Sequence, residues 1–303
     1  MASGKRIPDS LRALQESHVI TLDRVSRGVS SKLYAIVDLC AISNPDRWYG
    51  RLTQRAAAKN LFTGQPEASA SKQAAWLLEI SDDDATVRGD LLHLTVEEAM
   101  WSQGIIWLES KLDRPTVAAR LARRMTARHP NGEALLRYYD ARLLPTLWRV
   151  LADNDLSTFG AVGDAWWFLD ADAGLQNIDL PDTSPDMEDP YTPPLTFTQT
   201  QVDELLRVSE WHQLIDFLCK RQRDSFLSKS RGDRLRFVRH HDTAARQHHV
   251  HEFADRLYYC ELALENGDSF AKQPAWQAVW ATMQSQPIRL KAAISANDVE
   301  TQY

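Results

Sequence analysis

Residues Glu133 to Leu169 read EALLRYYDARLLPTLWRVLADNDLSTFGAVGDAWWFL, and this stretch sets the fold class. Ala134 to Tyr139 is apolar and aromatic and stops at Asp140, the composition of a mostly buried strand that ends in a polar turn. Leu143, Leu144, Leu147, Val150 and Leu151 recur at helical spacing, and Ala165 to Leu169 is a second aromatic strand. The order is strand, helix, strand.

The residues upstream repeat that alternation. Lys32 to Leu39 (KLYAIVDL) reads as a buried strand terminating around Asp38. Asn44 caps a helix that has Pro45 at its first position and runs to about Lys59. The Gly- and Pro-punctuated loop Leu61-Phe62-Thr63-Gly64-Gln65-Pro66-Glu67 feeds a strand from Ala75 to Ile80, and Ser81 to Asp84 is an acidic turn. Thr95 and Glu98 stand at capping-box spacing, which predicts a short helix to Trp101. Gly104 to Glu109 is a further strand. Asp113-Arg114-Pro115 opens a helix with the stripe Val117, Leu121 and Met125, stopped by His129-Pro130-Asn131-Gly132. Residues 1–170 therefore form an α/β lobe, a mixed sheet with flanking helices, whose first thirty residues have no firm assignment.

From Asp170 to Pro194 the composition changes: carboxylates and prolines accumulate with no Lys or Arg, which predicts an acidic, Pro-rich linker over 171–194. These carboxylates lack the spacing and turn glycine of a calcium loop. Beyond it the strand signal ends. Leu205, Val208, Trp211, Ile215 and Leu218 make one helical stripe behind a Thr200/Asp203 capping box. Val250, Phe253, Leu257, Cys260 and Leu264 make another, closed by Asn266-Gly267, and a helix bearing Trp276, Val279, Trp280 and Met283 follows Pro274. A smaller all-helical lobe over 195–286 and a frayed tail over 287–303 complete the expected organisation.

A chain of 303 residues with 44% apolar residues is long enough for about two domains. Its net charge of −6 argues against general binding to nucleic acid or an acidic membrane. Cys40, Cys219 and Cys260 are an odd number in apolar contexts, which fits buried free thiols in a reducing cytosol. There is neither a signal-peptide core nor a run long enough to span a membrane, so the expectation is a cytoplasmic protein.

His240, His241, His248, His249 and His251 form a cluster in which His248 and His251 would share a helix face and could ligate zinc, the basis of an alternative reading as a metal-dependent hydrolase. Asp255 stands where a zincin helix needs its second histidine, so a solvated helix surface is the competing account. Asp38 and Asp140, at strand ends, would suit acid–base work or magnesium, unless each caps its own turn or pairs with Arg137 or Arg142. Elbow, phosphate-loop and dinucleotide motifs are missing, which implies no cofactor and no catalytic step. The run from Lys220 to Arg246 carries a local excess of six basic charges. It reads as a solvated helical face or as a docking face for an acidic segment, the chain's own linker included. Trp76, Trp107, Trp148 and Trp166 read as core, while Trp48, Trp211, Trp276 and Trp280 sit beside polar residues, as interface anchors do.

Arg137-Tyr138-Tyr139-Asp140-Ala141-Arg142, the leucine-rich helix, the Phe159-Gly160 turn and Trp166-Trp167 together resemble the adaptor family of bacterial type VI secretion. These proteins are often called Tap or Tec adaptors or effector chaperones. The strand ending at Asp38 and the Leu61 to Glu67 segment resemble two earlier landmarks of that family; Arg256-Leu257-Tyr258-Tyr259 through Asp268-Ser269-Phe270 resembles a later one. The family places prolines where this chain has Ala141 and Ala161. The resemblance, strongest from Leu33 to Leu169, implies a cytoplasmic, non-enzymatic adaptor. It would bind a toxic effector, through the effector's N-terminal region, and load it onto the VgrG spike or its PAAR tip. It further implies roles for Arg137, Tyr139, Asp140 and Arg142, either in contacting the partner or in stabilising the lobe. Trp211, Arg231, Arg234, Arg236 and Arg239 are the partner-contact candidates of the helical lobe.

Overall fold

The computed structural model describes residues 9–26, 31–81, 84–152, 155–180, 186–221 and 224–299. Two compact units divide the chain, residues 1–205 and 206–303.

The first unit begins with α1 (Asp9–Ser26), followed by β1 (Lys32–Asp38), α2 (Pro45–Thr53), β2 (Ala58–Asn60), β3 (Ala75–Glu79) and α3 (Ala85–Ser102). It continues through β4 (Ile105–Ser110), α4 (Arg114–Arg123), β5 (Thr126–His129), β6 (Gly132–Leu135), α5 (Leu144–Leu151) and α6 (Leu156–Gly160). β7 (Ala165–Leu169), β8 (Leu175–Asp179) and β9 (Leu195–Thr196) close the strand set. The main sheet has the order β2-β3-β1-β4-β7-β8 and is antiparallel at every pairing. The mixed pairing lies in a smaller sheet, β6-β5-β9, where β5 runs antiparallel to β6 and parallel to β9. β1, β3 and β4 are buried along nearly their whole length because helices and loops cover both faces, which is why they read as continuous apolar runs.

Helix starts follow their caps. Asn44 Oδ1 accepts from the Arg47 N–H, and Asp113 Oδ1 accepts from the Thr116 N–H. Several boundaries differ from the sequence reading, each for an identifiable reason. α2 ends at Thr53 and the chain turns into β2, which pairs with β3. The Thr95/Glu98 pair caps nothing: the N-cap of α3 is Asp84, eleven residues earlier, whose carboxylate accepts from the Thr86 and Val87 N–H groups. Thr95 is buried in mid-helix, where its hydroxyl accepts from the Trp107 indole and donates to the Leu92 carbonyl. His129 to Gly132 closes the β5–β6 hairpin and stops no helix.

The stretch expected as a linker is largely part of the first unit. β8 pairs with β7, and residues 186–194 are strapped onto α4. Arg124, completely buried, spends every N–H it has. Two of the five go to Asp189 at 2.9 and 2.7 Å, and the others to the carbonyls of Phe159, Arg120 and Thr158. Its guanidinium lies 4.5 Å from the centre of the Tyr191 ring. Burial alone would raise the Asp189 carboxyl, but the hydrogen bonds and charge of Arg124 hold it below its ordinary value. Pro181, Asp182 and Pro185 of that stretch, Arg223 of the basic run, and the extreme tail from Glu300 lie outside the described residues.

The second unit is helical: α7 (Gln199–Lys220), which starts in the first unit, then α8 (Asp224–Leu227), α9 (Arg231–Gln247), α10 (Phe253–Asn266), α11 (Pro274–Ser285) and α12 (Leu290–Ala296). The box before α7 is Thr198 with Gln201, bonded reciprocally, two residues ahead of the expected Thr200. α12 buries Leu290, Ala293 and Ile294, so the expected frayed tail is helical through Ala296. Trp48, Trp276 and Trp280 are core residues, leaving Trp211 alone of the four half-exposed. Of the cysteines only Cys260 is buried; Cys40 is exposed. No helix among the described residues is long and apolar enough to cross a membrane.

Candidate functional site

The Arg137 to Arg142 segment carries a cluster of ion pairs and hydrogen bonds in the first unit. It is not a strand. The hairpin strand β6 ends at Leu135, and Leu136 to Ala141 form a buried irregular turn that delivers the chain to α5. Aromatic packing explains why. Tyr138 is fully buried, with edge-on contacts to Tyr139, Phe159 and Trp166 at 5.5, 5.9 and 6.2 Å, and its hydroxyl donates to the Leu121 carbonyl. An apolar run thus satisfies its hydrophobicity inside a turn instead of a sheet.

Tyr139, 2% exposed, stacks edge-on to Phe62 at 6.1 Å and lies under the Arg137 guanidinium. Arg137 in turn bridges two buried carboxylates, Asp38 at 2.9 Å and Asp140 at 3.4 Å. Arg142 grips both Asp140 oxygens, at 2.8 Å each. The remaining acceptor positions serve the backbone: Asp38 Oδ1 takes the Cys40 N–H and Asp140 Oδ1 the Arg142 N–H. The residues expected to act together, Arg137, Tyr139, Asp140 and Arg142, do converge, and they converge on Asp38 at the end of β1 and on Phe62 in the loop after β2. Three sequence landmarks separated by about a hundred residues are one cluster.

Electrostatically the cluster is a neutralised core. Asp38 is pushed up to about 6, chiefly by burial and further by Asp140, with Arg137 opposing. The same attraction holds Arg137 more firmly charged than an arginine in water. Both strand-end carboxylates cap the turn that follows them and pair with arginine. Both carboxylates bond to arginines and to backbone N–H groups of the same cluster.

The helical unit places its candidates differently. Trp211 donates its indole N–H to Asp242 at 3.0 Å, and the exposed Arg239 lays its guanidinium 5.1 Å from the Trp211 ring centre. Arg234 is spent inside the unit, on the carbonyls of Phe226 and Leu227, and Arg236 pairs with Asp233. Arg231 opens α9, half-buried. The basic run is therefore largely committed to its own helices, with Arg221 on Glu261 and Arg246 on Asp242 and Glu210. A buried network that sequence reasoning missed joins Arg256 to Asp242 at 2.5 Å.

The histidines do not share a helix face. α9 ends at Gln247, His248 caps it with its ring stacked on Trp280 at 4.5 Å, and His251 lies in the turn before α10. Burial lowers His248 below its ordinary value. Among the described residues no three His, Cys, Asp or Glu side chains come together as metal ligands.

Residues 33–158 match the family described as "Domain of unknown function (DUF4123)". No curated protein and no solved structure matches the chain.

Proposed function

We propose, from the DUF4123 domain that residues 33–158 constitute, that this chain is an adaptor that binds one type VI secretion effector in the cytoplasm and loads it onto the VgrG spike or a PAAR tip. DUF4123 is known as the effector adaptor domain of type VI secretion, an adaptor-type domain associated with no catalytic role. The observation that carries the proposal is the coincidence of that match with the Asp38–Phe62–Arg137–Asp140 cluster: the matched segment is the one whose landmarks converge.

Internal satisfaction of the cluster supports a holding role. Asp38 and Asp140 serve arginines and backbone N–H groups, so they position the β1 end, the loop after β2 and the start of α5 against one another. What they hold in place is surface, and surface is what an adaptor needs. Arg236, Arg239 and the half-exposed Trp211 are the candidates that the helical unit leaves at least partly in solvent for a second partner. The effector's N-terminal region and the spike's tail would then be taken by different surfaces of one chain.

Deletion of the chain in its host tests the reading. The expected result is loss of delivery of one effector while the spike itself is still secreted, with delivery restored by supplying the chain in trans. Unchanged delivery of every effector would refute it.

A further inference from the structure

The first unit has a cleft that the landmark cluster does not use. It lies between α2 and α3, has a volume of about 510 Å³, and is lined by Arg47, Arg51, Glu97, Glu98, Trp48 and Trp101. Its floor is settled: Glu98, 8% exposed, accepts from the Ser43 N–H and hydroxyl and from the Trp48 indole. Its rim is not. Trp101 at the end of α3 leaves 45% of its surface in solvent, an unusual position for an indole without a function. The same ring walls a smaller hollow with Leu11 and Met100, and Leu14, one turn along α1 from Leu11, is also exposed. An apolar strip thus continues the cleft.

Arginine outnumbers carboxylate on the rim, with Arg47 and Arg51 opposite Glu97. Arg47 and Arg51 stand four residues apart on α2, with Arg55 two residues beyond its end, and like charges at that spacing repel. None of the three has a carboxylate within ion-pair distance among the described residues. Burial, then Arg47 and Arg55, push the Arg51 guanidinium below its ordinary value, while Glu97 alone pulls the other way. Carboxylates placed between Arg47 and Arg51 would relieve that repulsion and gain bidentate pairing.

We infer that the Arg47–Arg51–Trp101 cleft is the docking site for an acidic segment of a protein partner, its carboxylates on the two arginines and an adjacent apolar side chain on Trp101. This rests on the adaptor reading for the identity of the partner, and on the cleft alone for its chemistry. A nucleic acid is the less favoured occupant, because its phosphates recur along the whole backbone and would pass over Glu97 as well, whereas a peptide can carry carboxylates opposite the two arginines alone and an apolar side chain at Trp101.

The test uses the full chain and a synthetic peptide that alternates glutamate with leucine and phenylalanine, beside its glutamine counterpart, measured by calorimetry. The glutamate peptide is expected to bind at least about tenfold more tightly, with Trp101→Ala and Arg47→Ala/Arg51→Ala each losing about tenfold while circular dichroism is unchanged. Equal affinity for both peptides, or variants that bind as the parent does, overturns the site. The same variants, offered the effector encoded beside the chain, separate the two claims. Effector capture that the substitutions leave untouched overturns the cleft and leaves the adaptor reading standing. Peptide binding by a chain that captures no effector supports the cleft and removes the adaptor reading.

Discussion

Asp140 carries the sharpest residue-level prediction. Its carboxylate is 2% exposed and answers Arg142, Arg137 and a backbone N–H, so Asp140→Ala removes the carboxylate that Arg142 grips with two bonds and takes from Arg137 one of its two carboxylates. Removing one side of such a pair costs on the order of 3 kcal/mol, and chemical denaturation should show that loss. A variant that keeps its stability and loses only its partner would instead make the residue a contact. Asp38 gives a pH test with a defined sign. Its folded value near 6 exceeds the ordinary 3.8, so the folded chain holds this proton where the unfolded chain has released it. The ionised carboxylate is a penalty present above about pH 6 and relieved on acidification. The stability of the parent relative to Asp38→Asn should therefore grow between pH 6 and pH 4, by on the order of 2 kcal/mol. A flat or opposite difference would show that Arg137, not burial, dominates the site.

At the scale of elements, two glycines with opposite surroundings test the packing. A Cβ on Gly163 would lie 2.3 Å from the Glu109 carbonyl and 2.4 Å from Leu108, against the backbone of β4. Gly163→Ala should cost about 1–3 kcal/mol by overpacking. Gly89, inside α3, has nothing within 4 Å of the same position, so Gly89→Ala should stabilise by about 0.5–1 kcal/mol through helix propensity. Thermal melts of the pair decide both. The strap yields a third: Asp189→Ala removes the partner of a fully buried arginine, and thermolysin should then cut near Tyr191 where the parent chain resists.

Elements with local signals were legible in the sequence. β1, β4 and β7 announced themselves as apolar runs, and α4 by its Asp113 cap. Elements decided by distant partners were not. Tyr138 and Tyr139 are buried by Phe159, Trp166 and Phe62, and a composition that means burial cannot distinguish a strand from a packed turn. Asp189 looked like one more linker carboxylate because Arg124 lies sixty-five residues away. The candidate site followed the same rule: its residues were legible as a motif, and their convergence on Asp38 and Phe62 was not.

The whole molecule has two cores, one around the sheet and one among α7 to α12, and the family match covers only part of the first. A metal-dependent activity would require ligands that the described histidines do not assemble. Purified protein should accordingly carry less than about a tenth of an equivalent of zinc or manganese. The proposed adaptor role is most directly tested by affinity capture of the full chain from a lysate of its host, with mass spectrometry of what it holds. Recovery of one effector together with a VgrG or PAAR protein is the predicted result; recovery of the chain with no component of the secretion machine would contradict the account.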